Sequence, residues 1–499
     1  MRKLERNIRV MKFGGTSVAD ADCIKRAANI VAAEVHRAPI VTVVSAMGGV
    51  TNRLIDAAYN ASRSERNVSD VCDWLRNQHL IAVDELIKNP NSRATLVKEV
   101  TSLVRQVVDL YHGTSLLGEL TPRALDSISS VGERLSAKLF AATLEELGVK
   151  SAPIEATELI ITDSNHGQAE PLMDQTRERA VAHLLPLLAA GISPVVTGFI
   201  GASKEGRLTT LGRGGSDYSA SILGAVLDAA EVIIWTDVDG VLSADPRLVS
   251  DARVLNEISY NEAAELAYFG AKVLHPKTLR PLTEAGIPIW IRNSSAPKRP
   301  GTKITSAGNP STRGVKAITS ISDVALITLG GRGIVGAPDV LAKVFAATAS
   351  ARANVLLVSQ ASSQNDICFV LHAADAEPVI AALREAFALE LAQQKVEHIT
   401  VDTQVAIVAV VGERMRGTLG VAGRTFSVLG CAGANVIAIA QGSSEYNISF
   451  VIEAGATQQA VAAIHEEFKL NYAATDVSSG DAVREIVTAD QLSSAIGEV

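Results

Sequence analysis

The chain has 499 residues, of which 47% are hydrophobic and 20% charged, with a formal net charge of −8. That is the composition of a well-cored protein of two or more domains. The acidic balance argues against a general nucleic-acid or anionic-membrane surface, so any phosphate site must be a local cluster of Lys and Arg. The four cysteines, Cys23, Cys72, Cys368 and Cys431, form no CxxC pair and read as small hydrophobes in a reducing compartment. The start, Met1 to Arg9, is charged and lacks an apolar core, and Val181 to Ala202 is broken by Pro186, Gly191, Pro194 and Gly198. The expectation is a cytoplasmic protein with no membrane span and no nucleic-acid partner.

Ile8 to Met11 reads as a first strand and Val18 to Val35 as a helix, with Lys12-Phe13-Gly14-Gly15-Thr16-Ser17 between them. A strand, a Gly-Gly turn and a helix start can hold an anion, because amides and the helix terminus both present positive charge. Lys12 adds a full charge there. The same residues also fit a tight turn with a solvated lysine. Pro39 to Ser45, Ser193 to Thr197 and Glu231 to Thr236 are continuous apolar runs suited to a parallel sheet covered on both faces. From about Asn52 to Gly148 the pattern is helical throughout, with one helix opening at Thr121-Pro122, a cap followed by Pro at the first helical position.

Gly212-Arg213-Gly214-Gly215-Ser216-Asp217-Tyr218 opens a helix of small residues, Ser219 to Leu227. Arg213 offers a planar fork for a carboxylate, and Asp217 suits an ammonium. A capped helix start with a surface ion pair is the alternative. Trp235-Thr236-Asp237-Val238-Asp239-Gly240-Val241 ends a buried strand, where ligands bind in open α/β sheets. Asp237 can accept from a nucleotide, and Asp239 can make the turn with Gly240. Asp245-Pro246-Arg247 and Gly270 to Pro276 bring further cations. His275 has no metal-ligand companion and suits a helix terminus. No residue is assigned to a metal, and no HExxH, GxSxG or Walker A pattern occurs.

Ser294 to Arg313 is rich in Pro, Gly, Ser, Lys and Arg and marks a boundary. Beyond it the chain repeats itself once, without gaps. FAATASARANVLLVSQASSQNDICFVL starts at Phe345 and FSVLGCAGANVIAIAQGSSEYNISFVI at Phe426, with the preceding strands from Val324 and Val405 in the same register. Each copy reads strand, helix, strand, strand, helix. Gly331, Gly333 and Gly336 fit GxGxxG, but the next strand ends in Gln360 rather than an acid, so the motif reads as a turn and not a dinucleotide site.

Together these segments resemble aspartokinases. KFGGTS at Lys12, SAMGGVTN at Ser45, VGE at Val131, LGRGGSDYSA at Leu211, WTDVDGV at Trp235, DPR at Asp245 and FGAKVLHP at Phe269 occur in family order. The wording is most similar to the aspartokinase half of aspartokinase–homoserine dehydrogenases. A chain ending near residue 499 leaves no room for the dehydrogenase, which implies a monofunctional enzyme. The resemblance implies an α/β amino-acid kinase fold, a mostly parallel sheet sandwiched by helices, followed by two α+β ACT-type regulatory repeats. The expected domains are residues 1–300 for the kinase, 301–318 for a linker, 319–400 and 401–476 for the repeats, and 477–499 for a tail.

The implied reaction is ATP- and Mg²⁺-dependent phosphorylation of the L-aspartate β-carboxylate, the first step of lysine, threonine and methionine biosynthesis. Lys12 and Asp217 are the implied catalytic residues, with Asp217 orienting Lys12. Thr51, Glu133, Arg213 and Ser216 would bind aspartate, Glu133 through its α-amino group and Arg213 through its α-carboxylate. Lys12, Phe13, Gly14, Gly15, Ser45, Thr236, Asp237, Leu242, Arg247, Lys272 and Val273 would serve ATP, with the amides of Gly14 and Gly15 on the moving phosphoryl. Leu242 stands where the family usually has Tyr. Val358, Gln360 and Gln441 are the allosteric candidates, for threonine first and lysine second. The apolar strands Asn354 to Ser359 and Asn435 to Ala440 would leave open edges, which implies a homo-oligomer through the repeats. Two other readings fit the chemistry less well: another amino-acid kinase such as a glutamate kinase, and a catalytically silent amino-acid sensor.

Overall fold

The computed structural model describes residues 7–63, 68–271, 274–308, 314–331, 338–360, 366–413, 415, 418–441 and 446–471. They form two compact units. The first holds residues up to Val241 and Val254–Pro310, and the second Leu242–Arg253 together with the chain from Ser311 on. Leu242–Arg253 thus departs from the expected kinase domain of residues 1–300, since so short an excursion carries no composition signal. The GxGxxG turn beyond Gly331, the tail 477–499, and Lys272 and Val273 lie outside the described residues.

The strands of the first unit, in chain order, are β1 (Arg9–Phe13), β2 (Ile40–Val44), β3 (Ser151–Ile154), β4 (Ile161–Thr162), β5 (Ser193–Thr197), β6 (Ile200–Ser203), β7 (Leu208–Thr210), β8 (Glu231–Thr236), β9 (Glu257–Ser259), β10 (Ile289–Asn293) and β11 (Thr302–Thr305). Eight of them form one sheet in the order β3-β5-β2-β1-β8-β10-β11-β9. All its pairs are parallel except β10 with β11. The continuous apolar strands β2 and β5 are buried along their whole length, as a sheet covered on both faces requires. β1 sits between β2 and β8, so the chain leaves it in both directions. That is the switch point of an open parallel sheet, where a crevice opens beyond the carboxyl ends of the strands.

The helical layer follows the sequence reading closely. Helices cover Val50–Ser62, Val68–Leu86, Pro90–Leu117, Pro122–Ser129 and Val131–Glu146. Thr121 caps its helix by accepting from the Ala124 amide, with Pro122 at the first position. The first helix spans Ala21–Glu34, starting later than the apolar pattern because Asp20 accepts from the Cys23 amide and fixes the start. His275 caps the helix Pro276–Ala285, accepting from the Lys277 amide. Among the described residues no helix is long and apolar enough to cross a membrane.

The second unit contains β12 (Gly314–Gly330), β13 (Val355–Gln360), β14 (Asp366–His372), β15 (His398–Glu413), β16 (Val436–Ala440) and β17 (Asn447–Glu453), ordered β13-β14-β12-β15-β17-β16. Val324 pairs directly with Val405, its counterpart in the second copy. The two copies are therefore related by a local two-fold axis through that pair. One consequence is that β13 and β16, the equivalent strands, are the two edges of the sheet. Segment Leu242–Arg253 is anchored in this unit. The Ser243 carbonyl accepts from the Ile318 amide at 2.8 Å, and the Ser243 hydroxyl lies 2.9 Å from His465 Nε2. Arg253 Nε donates to the Leu470 carbonyl at 2.6 Å.

Candidate active site

The crevice beyond β1, β2 and β5 is a cavity of about 560 Å³. Its lining includes Lys12, Gly15, Ser45, Thr51, Glu133, Arg213, Ser216 and Asp217, all expected from the sequence. Lys12 lies near the end of β1, where strand alternation would otherwise bury an apolar side chain, and it is 8% exposed. Its Nζ is 2.5 Å from Asp217 Oδ1. Apart from this ion pair, Asp217 Oδ1 is buried without a hydrogen-bond partner. Asp217 stands in the first turn of the helix Gly215–Val226, whose Gly214 cap has φ 70° and so needs glycine. The amides of Ser216 and Asp217 in that turn have no intrahelical acceptor, and both residues line the crevice at the positive helix end.

Glu133 enters from the first turn of Val131–Glu146 and is 3% exposed. Its helix approaches the β2 end closely because Gly132 has no Cβ; one placed there would meet Ala46 Cβ at 2.6 Å. Burial pushes the Glu133 carboxyl up to about 8, although its own amide, the Ala46 amide and the Lys12 charge pull it down. Glu133 Oε2 is buried without a hydrogen-bond partner. A buried carboxyl held up in this way gives up its proton more readily when a further cation, such as an ammonium group, comes against its open oxygen. Arg213 is exposed at the rim, with no ion pair among the described residues.

Of the lining residues that are not sequence candidates, three bear on the site. Asp126, 2% exposed, accepts from the Thr210 hydroxyl at 2.5 Å and the Gly167 amide at 3.2 Å, and meets His166 Nδ1 at 2.7 Å. It ties three segments together beneath the cavity. Its one sequence signal is an acid on an otherwise buried helix face. Asn52 lies next to Thr51 in the lining. Phe199, with φ 70°, is a non-glycine residue in the left-handed region at the cavity wall.

Several expectations change. The Gly14 amide donates to the Trp235 carbonyl at 3.2 Å, extending the β1–β8 ladder, so it is not free for a phosphoryl oxygen. The Gly15 side of the turn faces the cavity instead. Phe13 is fully buried and stacks on Trp235 at 6.1 Å, a core role. Thr236 donates to Asp237 at 3.1 Å at the β8 end, outside the cavity lining. Leu242 and Arg247 belong to the second unit, where Arg247 pairs with Asp245 at 2.5 Å. Asp239 accepts from Asn293 at 2.8 Å and also pairs with Arg299, which makes it a structural brace of its turn. In the second unit Gln360 ends and Gln441 follows a half-buried edge strand rather than a buried one; both glutamines are exposed, and Val358 is 37% exposed.

The amino acid kinase family model matches residues 7–293, and the ACT domain model matches residues 327–387 and 408–468. Aspartokinase 1 of Arabidopsis thaliana is 33% identical over 474 residues, covering 92% of this chain and 80% of that protein. The chain belongs to the aspartokinases. A bifunctional aspartokinase/homoserine dehydrogenase of Daucus carota is 34% identical over 473 residues, 93% of this chain. The chain spans about half the length (51%) of that bifunctional relative. Among solved structures, E. coli aspartokinase III in complex with aspartate and ADP superimposes with a TM-score of 0.78 at 32% identity, covering 93% of this chain and all of that one. The same aspartokinase with lysine and aspartate gives 0.76, covering 92% of this chain. The two ACT matches are displaced from each other by the same step that separates Phe345 from Phe426, so they coincide with the internal repeat.

Proposed function

We propose that the chain transfers the γ-phosphoryl group of ATP to the β-carboxylate of L-aspartate. The observation that carries this reading is the Lys12–Asp217 pair facing Glu133, with its unpartnered oxygen, across one cavity rimmed by Arg213. The α-ammonium group of aspartate answers Glu133, and the α-carboxylate answers Arg213. That leaves the β-carboxylate directed at Lys12.

The acceptor is already ionised at neutral pH, since a free Asp side chain has a pKa of about 3.9. No general base is needed. The difficulty is repulsion between a carboxylate and a polyphosphate, and the residues counter it by charge and alignment. Lys12 neutralises charge on the moving phosphoryl. Asp217 keeps Lys12 aimed into the cavity, and the amides at Gly15 and at the Gly215–Val226 helix start present dipoles to the oxygens. Among the described residues no group of three or more His, Cys, Asp or Glu side chains gathers as a metal nest. A Mg²⁺ ion would arrive with the nucleotide phosphates, and Asp217 is the cavity residue that would hold it. When bound, that ion supplies further neutralisation of phosphate charge.

Regulation belongs to the same proposal. An amino-acid effector, with threonine the first candidate and lysine the second, binds at the repeats near Val358, Gln360 and Gln441. The exposed edges β13 and β16 pair with a second copy, since Val358, Ile437 and Ile439 lie open there. Purified chain given ATP, Mg²⁺ and hydroxylamine should form hydroxamate from aspartate and not from glutamate. Folded protein that forms none from aspartate overturns the reading.

A further inference from the structure

A second and larger cavity, of about 790 Å³, lies in the first unit between the helix Ala21–Glu34 and strands β1, β8 and β10. The register places Arg9, Glu231, Met11, Ile233, Trp235 and Arg292 on one face of the sheet. Five cationic side chains and three carboxylates line the cavity. Arg9 is held by Glu34 at 2.8 Å and Glu231 at 2.9 Å, and Arg37 is held by Glu34 at 2.8 Å. Those pairs use two carboxylates, Glu34 and Glu231, which also act on Arg292 through charge without an ion pair to it, and leave Asp22 as the third acid beside Lys25 and Arg26.

Arg292 is the centre of this excess. Its guanidinium stands 4.6 Å from the ring centroid of Trp290 and 5.9 Å from that of Trp235. Stacking fixes the plane of the fork but satisfies none of its donors, and its Nε is buried without a partner. Trp235 is 2% exposed, and its Nε1 is also buried and unpartnered. Two orphaned N–H donors thus meet at one cavity wall. From the opposite wall, neither Lys25 nor Arg26 makes an ion pair among the described residues; Arg26 bonds the thiol of Cys23 at 3.2 Å, with Asp20 near enough to feel its charge. Buried donors without acceptors, next to uncompensated cations, call for an oxyanion.

We propose that this cavity binds a small anionic metabolite bearing carboxylate or phosphate groups, held by Arg292, Trp235 Nε1, Lys25 and Arg26. It is distinct from the crevice holding Lys12 and Asp217. Trp235 joins the two, since its carbonyl accepts from the Gly14 amide and the Ser17 hydroxyl while its indole faces the second cavity.

The chain has three tryptophans, two of them beside Arg292, so intrinsic fluorescence reports on the site. The full chain is titrated with citrate and separately with pyrophosphate, against KCl at matched ionic strength. Wild type and Lys12→Ala should both show a saturable change with at least one anion, at the same midpoint. Arg292→Met and Lys25→Met should each move that midpoint at least about tenfold upward, as loss of a charge-assisted bond does. Lys25 is exposed on its helix, so its substitution leaves the fold intact, and circular dichroism checks Arg292→Met. Citrate alone, or pyrophosphate alone, identifies the anion class. A change that KCl reproduces, or one lost in Lys12→Ala and kept in both cavity variants, overturns the proposal.

Discussion

Lys12 Nζ and Asp217 Oδ1 sit 2.5 Å apart although one comes from strand β1 and the other from a helix start far along the chain. Lys12 is 8% exposed, and the ion pair with Asp217 fixes its ammonium at the cavity wall. A group held this way contributes charge where it develops, at small reorganisation cost. Lys12→Ala should lower kcat about 10³-fold with a modest change in KM for aspartate. Asp217→Asn should keep the fold and lower kcat by less, because Lys12 remains but loses its anchor. Steady-state kinetics with both variants checks this. Equal losses in kcat for the two would mean that Asp217 does more than orient the lysine.

Glu133 predicts a pH dependence. Burial raises its carboxyl to about 8, so in the free protein the proton leaves as pH rises through that value. The ammonium of aspartate binds the ionised form. KM for aspartate should therefore fall between about pH 6.5 and 8.5, and Glu133→Gln should raise KM and flatten the profile.

The same shift has a sign for stability. The folded value lies above the ordinary 4.5, so the contribution of Glu133 is complete below that pH and is lost as pH rises through about 8. Glu133→Gln should raise Tm over wild type at pH 8.5 and by progressively less toward pH 4.5. Thermal melts across that range provide the measurement. An equal Tm difference at both ends would assign the effect to packing instead.

Much of this was legible because local chemistry set it. The apolar runs of β2, β5 and β8, the Thr121-Pro122 cap and the KFGGTS turn each depend on neighbours in sequence. The internal repeat also shows directly, and the Val324–Val405 pair is its geometric consequence. What escaped depends on residues distant in the chain. Asp126 is one acid on an amphipathic helix, and nothing near it indicates that Thr210 and Gly167 will donate to it. The Gly14 amide looked free because its acceptor, the Trp235 carbonyl, belongs to a strand remote in sequence. Gln360 and Gln441 looked buried because their strands are apolar, whereas apolar strands at the edge of a sheet keep one side open.

Asp126 gives a prediction of its own. Its carboxylate collects donors from Thr210, Gly167 and His166 under the loop that carries Arg213. Asp126→Ala leaves the buried Thr210 hydroxyl and the half-buried Gly167 amide and His166 ring without this acceptor and should cost about 3 kcal/mol of stability. KM for aspartate should rise as the 212–214 loop loosens, with kcat less affected. Denaturant melts and kinetics on the same sample separate the two effects. A stability loss with unchanged KM would confine Asp126 to the scaffold.

The last prediction concerns the repeats. β13 and β16 occupy equivalent places around the local two-fold axis; β13 ends in the exposed Gln360, and the exposed Gln441 follows directly on β16. A glutamine amide both donates and accepts, so it suits a zwitterion or a hydroxyl. Exposed side chains on two edges contribute little to the fold, so their removal tests binding with little risk of unfolding. Gln360→Ala and Gln441→Ala should keep the uninhibited rate and weaken threonine inhibition, by up to the 5–150-fold that about 1–3 kcal/mol of coupling represents. The same variants should leave sedimentation unchanged, since the glutamines lie at strand ends while Val358, Ile437 and Ile439 form the open apolar edge. An undiminished threonine response in both would remove the glutamines from the effector site. A wild-type response to lysine alone would replace threonine as the effector while leaving the kinase reading in place.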